Sequence, residues 1–375
     1  MLLTETQTLI RDSVRDLAQN EIAPHAQTWE EAGAYPEAVF QQLAELGLLG
    51  MTAPETYGGA EADYVSYALA LMELAAGDGG LSTVVSVHNA PVIAAILKDG
   101  NAAQKDRFLP ELCAGNYIGA FALTEAGAGS DASALRTRAV RDGDHYVIDG
   151  SKQFITSARI AGLTLVFAVT DPSAGKKGLS AFIVPRGTPG FSIAKVEHKL
   201  GQKASDTCAL NFDAMRVPAE LRLGEEGMGY RIALANLETG RIGIAAQSVG
   251  MAQAALDIAI AYAKERASFG KPIIQHQAVG FRLADLAARL EAARQLVLHA
   301  ASLKDAGLPC LTEASMAKLI ASETAEAVCS GAIQTLGGYG YLEEYRVAKI
   351  YRDVRVCQIY EGTSDIQRMV IARSL

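Results

Sequence analysis

Helical periodicity at both ends of the chain, with a turn-rich stretch of short strands between them, marks a mainly α protein with a β domain at its centre. Length points the same way. At 375 residues the chain exceeds what one hydrophobic core usually organises, so two or three domains are expected. Half of the residues are apolar and a fifth are charged, the balance of a globular chain without long disordered segments.

The first helical domain is expected over residues 1–120. Leu9, Ile10, Val14, Leu17 and Ala18 recur at three- and four-residue steps, as one buried helix face requires. Val39, Leu43 and Leu46, followed by Gly47, predict a second helix closed by a glycine cap. Further helices are expected over Tyr64–Leu74 and Gln104–Leu112, separated by glycine-rich breaks such as Gly77-Asp-Gly-Gly80. The β domain is expected over 121–225. Arg138 to Ile148 reads as strand, turn, strand, because Asp142-Gly143 between β-prone runs is a hairpin signal. Thr164–Val169 and Leu179–Val184 are likewise short, β-rich and bounded by Gly, Pro or Ser. Over 226–375 the helical period returns, with helices predicted at Ile232–Arg266, Gln277–Ala306, Thr312–Leu336 and Glu344–Arg355. Their Ala-rich faces and short connections suggest an antiparallel bundle.

Charge narrows the partners. A net charge of −8 disfavours nucleic acid and anionic membranes, which both select clustered Lys and Arg. The N-terminus carries acids from Glu5 onward and no basic region, unlike a secretory signal or a mitochondrial presequence. The longest uncharged run, Ile242–Leu256, is too short to span a bilayer. A cytoplasmic protein is expected. Cys113, Cys208, Cys310, Cys329 and Cys357 lie far apart with no CxxC pair, the usage of buried free thiols in a reduced compartment. Six histidines show no ligand spacing, so no metal site is expected. Gly127 to Ala132 matches the letters of a dinucleotide-binding fingerprint, yet a hairpin signature follows where that mechanism needs a helix. Such a loop still offers bare amides that can approach a ligand closely.

Five segments together resemble the acyl-CoA dehydrogenase family: Phe121 to Asp131, Phe154-Ile-Thr156, Arg266 to Gly270, Gln334 to Gly340 and Ile359 to Arg368. They stand in the family's order and spacing and spread over nearly 250 residues, and the resemblance covers essentially the whole chain. The resemblance implies an N-terminal helical domain, a central antiparallel β-barrel and a C-terminal four-helix bundle. It also implies bound FAD. Phe121, Leu123, Thr124 and Ser130 would surround the flavin ring and the acyl-CoA, with Phe154, Ile155 and Thr156 on the flavin's other side. Arg266, Ser268, Phe269 and Gln277 would reach FAD across a subunit interface, in a homotetramer or at least a homodimer. Gln334, Gly337 and Gly338 would cradle the pyrophosphate and ribose, and Thr363 and Asp365 the AMP part. The chain departs from the family's usual residues at Ala126, commonly proline, and at Asp365, often Gln or Glu.

The same resemblance implies α,β-dehydrogenation of an acyl-CoA to the trans-2-enoyl-CoA. Glu361 would remove the α-proton while a hydride passes from Cβ to flavin N5, and electron-transfer flavoprotein would accept the electrons. Ser130, Glu238, Thr239, Gly240, Arg241 and Gly362 would contact the substrate. Some branched- and long-chain relatives carry the base at the position filled here by Gly240, which has no side chain. A free Glu titrates near ~4.3, so burial would have to raise Glu361 toward about 6–7 for it to serve as a base. Asn236–Ala245 and Val87-His-Asn89 most resemble short-chain (butyryl-CoA) and short-branched-chain members. Alternatives are a short-branched-chain or medium-chain dehydrogenase, an acyl-CoA oxidase, a glutaryl-CoA-type enzyme and a non-catalytic flavoprotein. Oxidases usually add a C-terminal domain, the glutaryl type needs a cation for a distal carboxylate, and the DNA-binding relatives carry a basic extension.

Overall fold

In the computed structural model, which describes residues 1–375, the first region holds seven α-helices. They are α1 (Glu5–Leu17), α2 (Ala26–Ala32), α3 (Glu37–Glu45), α4 (Tyr64–Gly77), α5 (Gly79–Val87), α6 (Ala94–Asp99) and α7 (Ala102–Cys113). Polar side chains set several of their starts. Thr4 with Gln7, and Asn101 with Gln104, form reciprocal capping boxes at α1 and α7, while Asp63 and Asp78 cap α4 and α5. The expected glycine cap after α3 is present, with Gly47 at φ +71°. The expected inner face of α1 needs a correction: Val14 and Ala18 are buried, but Leu9 is 66% exposed. Gln7 turns inward instead and donates to Asp63 at 2.9 Å, which puts Leu9, about 200° further round the helix, outside.

The break at Gly77–Gly80 lasts a single residue, Asp78, before α5 begins. α5 then widens into a π-helical turn, His88–Ile93, around Pro91, whose missing N–H disturbs the regular ladder. His88 Nδ1 accepts from the Gly119 amide at 3.0 Å, so Nε2 carries the proton and donates to the Leu112 carbonyl at 3.1 Å. Burial holds this imidazole neutral, with its pKa pushed down to about 4.

The central region is one mixed sheet. Its strands are β1 (Ile118–Ala122), β2 (Arg138–Asp142), β3 (His145–Thr156), β4 (Ala161–Val169), β5 (Leu179–Pro185), β6 (Phe191–Val196), β7 (Thr207–Pro218) and β8 (Arg222–Leu223). The path is β6-β7-β3-β2-β4-β5-β8, with β1 added on β4. The expected hairpin is β2–β3, turning at Gly143 with φ +61°. The expected antiparallel β-barrel is not what forms. β6 and β8 end the path unpaired with each other, and a barrel needs every edge joined. β8 is only two residues long before the chain leaves the sheet, so it offers too short a ladder for closure. β1 also lies parallel to β4, which the 38 residues between them (123–160) permit, since parallel neighbours need only a long crossover.

The last region comprises α8 (Gly229–Glu265), a small hairpin of β9 (Ala267–Ser268) and β10 (Lys271–Pro272), then α9 (Gln277–Asp305), α10 (Leu311–Leu336), α11 (Arg346–Val354) and α12 (Ser364–Ala372). The four expected helices are present, and α12 is an addition capped by Thr363. Two helical stretches, Gly79–Asp99 and Gly229–Glu265, are long and apolar enough to cross a bilayer, but most of each apolar window is buried inside the protein. α8 packs on α4 as well as on α9 and α10. Both helical regions thereby share one core of 57 buried residues, while the sheet builds a second of 39 together with α6 and α7. All five cysteines are free and buried.

A buried charge cluster joins the regions. Lys349 lies between Asp78 at 2.7 Å and Asp353 at 2.6 Å, all three nearly inaccessible. Tyr35 donates to Asp78 at 2.6 Å, and the Gln202 backbone amide donates to Asp353. Removing the cation would leave two buried carboxylates facing each other. Lys349→Met is therefore expected to lower unfolding free energy by about 3–5 kcal/mol, measured by urea denaturation, and a loss under ~1 kcal/mol would refute this account.

Candidate active site

The loop between α11 and α12 carries Glu361. Two consecutive residues take left-handed backbone, Glu361 at φ +54° and Gly362 at φ +90°. A non-glycine residue there is uncommon and is held by its surroundings. Lys318 Nζ and Gln367 Nε2 both donate to the Gly362 carbonyl, at 2.7 and 2.8 Å. On the other side the Tyr360 hydroxyl donates to Gln247 of α8 at 2.7 Å. The loop is thus fixed from α8, α10 and α12 together.

Glu361 aims its carboxylate at α8, where Gly240 makes room. A Cβ at position 240 would stand 2.6 Å from Glu361 Oε2. That oxygen is buried and has no hydrogen-bond partner. Burial raises the Glu361 pKa to about 7, against the pull of Arg241 and Lys318 toward ionisation. Arg241 is buried beside it, with Nη1 on Ser315 Oγ at 3.3 Å and Nε without a partner. Burial pulls the guanidinium down, while Glu361 and Glu238 oppose the fall.

The facing wall comes from the sheet. A cleft of ≈ 190 Å³ brings together Phe121, Leu123, Thr124, Ser130, Phe154, Ile155, Thr156, Arg241, Glu361 and Gly362. Sequence reasoning had singled out every one of these. A β-bulge explains Phe154, which does not follow simple alternation. Between Lys152 and Ile155 the register slips, so Gln153 and Phe154 together oppose one residue of β7. Phe154 takes φ +60° and leaves its ring 63% exposed at the cleft, while the Gln153 amide is freed to bond the Thr124 carbonyl at 2.9 Å. Lys152, fully buried, ties the same two segments by donating to the Leu123 carbonyl at 3.0 Å and to Glu125 at 2.9 Å.

A second, more open groove of ≈ 400 Å³ gathers Arg266, Gly337 and Gly338 with Tyr262, Thr335 and Tyr339. Gly337 and Gly338 present bare backbone there, with nothing within 4 Å of a Cβ built on either. Ser268 and Phe269 belong to the β9–β10 hairpin, and Phe269 at its tip is 97% exposed. Gln277 starts α9 and Gln334 is exposed on α10. Thr363 spends its hydroxyl on the α12 cap, and Asp365 is exposed beside Arg368. Glu238 pairs with Lys304 at 3.1 Å instead of lining the cleft, and Thr239 is buried outside it. Of Val87, His88 and Asn89 only Val87 lines the cleft. Asn89 bonds the backbone of Leu48, Met51 and Val85.

Sequence reasoning missed the supports: Lys318, Gln367, Gln247 and Lys152. One signal was available. Ser315, Lys318 and Ser322 are polar residues at helical spacing on the phase that also carries Ala314, Ala321 and Ala325, all of them buried.

Family models for the acyl-CoA dehydrogenase N-terminal, middle and C-terminal domains match residues 4–116, 120–215 and 227–375. An acyl-CoA dehydrogenase of Bacillus subtilis is 48% identical over 375 residues, covering 100% of this chain and 99% of its own. The mitochondrial short-chain specific acyl-CoA dehydrogenase of Bos taurus is 46% identical over 373 residues, covering 100% and 90%. Butyryl-CoA dehydrogenase from Megasphaera elsdenii superposes with a TM-score of 0.97 at 42% identity, covering 100% and 99%. A chain solved in work on the electron transferring flavoprotein of Acidaminococcus fermentans and flavin-based electron bifurcation superposes at 0.98, also at 42% identity, covering 100% and 98%. The chain belongs to the acyl-CoA dehydrogenase family. The family depends on FAD. The residues here fit such a group: hydroxyls of Thr124, Ser130 and Thr156 with the exposed Phe154 ring in one hollow, Arg266 and two bare glycines in the other.

Proposed function

We propose that this protein dehydrogenates a short-chain acyl-CoA to the trans-2-enoyl-CoA, with Glu361 taking the α-proton. The observation that carries the reading is the buried, unpartnered Oε2 of Glu361, held at about pKa 7 on the wall of the cleft. A carboxylate so placed is basic enough to accept a proton and ionised often enough to do so near neutral pH. The Glu361 amide has no acceptor within the chain and is free to donate to a thioester carbonyl, stabilising the charge that develops there. FAD, when bound, supplies the acceptor for the hydride leaving Cβ. Thr124 and Thr156 would hold the polar edge of its ring, Phe121, Leu123, Ser130, Phe154 and Ile155 its faces, and Arg266, Ser268, Phe269, Gln277, Gln334, Gly337, Gly338, Thr363 and Asp365 its remaining length.

Val87, Pro91, Leu234, Leu237 and Ile244 make the rest of the cleft apolar, which suits a short alkyl chain. The short-chain relative and the butyryl-CoA dehydrogenase superposition support the same chain length. Electron-transfer flavoprotein as acceptor draws support from the Acidaminococcus superposition. The reading includes a cytoplasmic homotetramer, or at least a homodimer, in which the exposed β9–β10 tip would reach the FAD of a neighbouring subunit.

The test is anaerobic titration of the yellow holoprotein with a series of acyl-CoA thioesters. Butyryl-CoA is expected to bleach the flavin fastest, with a long-wavelength charge-transfer band. Faster bleaching by octanoyl-CoA would move the assignment to medium chains. A flavin untouched by every saturated thioester would end the enzymatic reading.

A further inference from the structure

The loop bearing Glu361 rests on a polar stripe of α10. Ser315, Lys318, Ser322 and Glu326 follow at steps of three, four and four, so they share one helix face. Each holds part of the site. Ser315 takes the Arg241 guanidinium, Lys318 the Gly362 carbonyl, and the Ser322 carbonyl and Glu326 the side chain of Gln358. Lys318 differs from the other three. It is fully buried, and its one hydrogen bond goes to a neutral carbonyl and not to a carboxylate. Burying an ammonium without a counter-ion is costly, so ordinary packing gives no reason for a lysine here.

The surroundings supply one. Charged and titratable groups facing Glu361 are Arg241 from α8, Lys318 from α10 and the Tyr67 hydroxyl from α4. Those facing Lys318 are Cys357, Glu361, Arg241 and Glu323. We propose that Lys318 is a positioning residue of the catalytic loop: its hydrogen bond to Gly362, made beside that of Gln367, helps fix the left-handed turn that aims Glu361, and its charge favours the ionised form of that carboxylate between turnovers. The proposal rests on Glu361 being the base. It assigns the two halves of the task to different properties of one side chain. The N–H donor sets direction, and the positive charge offsets the burial that would otherwise leave Glu361 protonated. Consistent with this coupling, burial pulls Lys318 down to about 8 while Cys357 and Glu361 resist the fall.

Two variants separate these halves. Lys318→Gln keeps a donor and loses the charge, whereas Lys318→Met loses both. The readout is the carboxyl stretch of protonated Glu361 in infrared difference spectra against Glu361→Gln, titrated on the FAD-loaded protein without substrate. In Lys318→Gln the midpoint is expected to rise by about one pH unit, a tenfold loss of ionised base at a given lower pH. Lys318→Met should lower kcat about tenfold beyond that, with melting temperature and flavin content retained. An unchanged midpoint in Lys318→Gln overturns the proposal, and this variant decides if Lys318→Met does not fold. Flavin reduction by Glu361→Gln at normal rate would instead remove the base reading itself. Loss of reduction in Glu361→Gln with an unmoved midpoint in Lys318→Gln removes only the role given to Lys318.

Discussion

Glu361→Gln is expected to give a yellow, FAD-loaded protein whose reduction by butyryl-CoA is slowed by about 10²–10⁴, the usual worth of a positioned general base. Glutamine fills the same space and keeps the backbone amide at 361, so binding should change little. What disappears is a group able to hold the α-proton. The pH dependence carries the sign. Only the ionised carboxylate accepts a proton, so the wild-type rate should climb as pH rises through about 7 and level off above it. In the variant that climb should vanish. Stopped-flow reduction across pH 5.5–8.5 (roughly the range bracketing that titration) checks both points. A variant that keeps normal speed, or keeps the same pH limb, would place the base elsewhere.

The second large effect comes from the smallest change. Gly240→Ala adds one methyl in the interior of α8, where alanine favours a helix by about 1 kcal/mol over glycine. That Cβ would stand 2.6 Å from Glu361 Oε2 and 2.9 Å from its carboxyl carbon. The end of a flexible side chain can yield where backbone cannot, so the protein should fold and melt no lower than before. The carboxylate should swing aside. A displacement near 1 Å at a reacting group costs about 10²-fold in rate, so turnover should fall by that order with KM nearly unchanged. A variant with full activity would show that the carboxylate has room to spare. One that unfolds would show that the crowding reaches beyond the side chain.

Much of this was legible in the sequence, and the rest fails for particular reasons. Hairpin and helix limits followed from local signals: Asp142-Gly143 for β2–β3, and the apolar period for α8 to α10. The sheet's failure to close depends on how few residues pair in β8 and on β1 joining β4 in parallel, and neither is a local property. Leu9 misled because it keeps the helical step, while the partner of the buried Gln7 is Asp63, far away in sequence. At the site, many residues that touch the cleft were found through their family segments, Phe154 and Glu361 among them, while Pro91 and Leu234 were not. The groups that hold them, Lys318, Gln247 and Lys152, lie in other segments and meet the site only after folding. Glu238 shows the converse: the segment reaches the cleft, but that carboxylate turns to Lys304.

The core shared by the two helical regions has a consequence for how the chain comes into being. Its members run from Val14 to Cys357, so the surface that α4 needs is supplied by α8 and its neighbours. On a ribosome adding roughly 5–20 residues per second, the first helices wait on the order of 10–50 seconds for that surface. During the wait α4 and α5 have only each other and α1 to pack on, and the sides that later meet α8 and α9 stay uncovered. The nascent N-terminal third therefore carries unpaired apolar surface, and native structure arrives late, when the final helices close over what was made first.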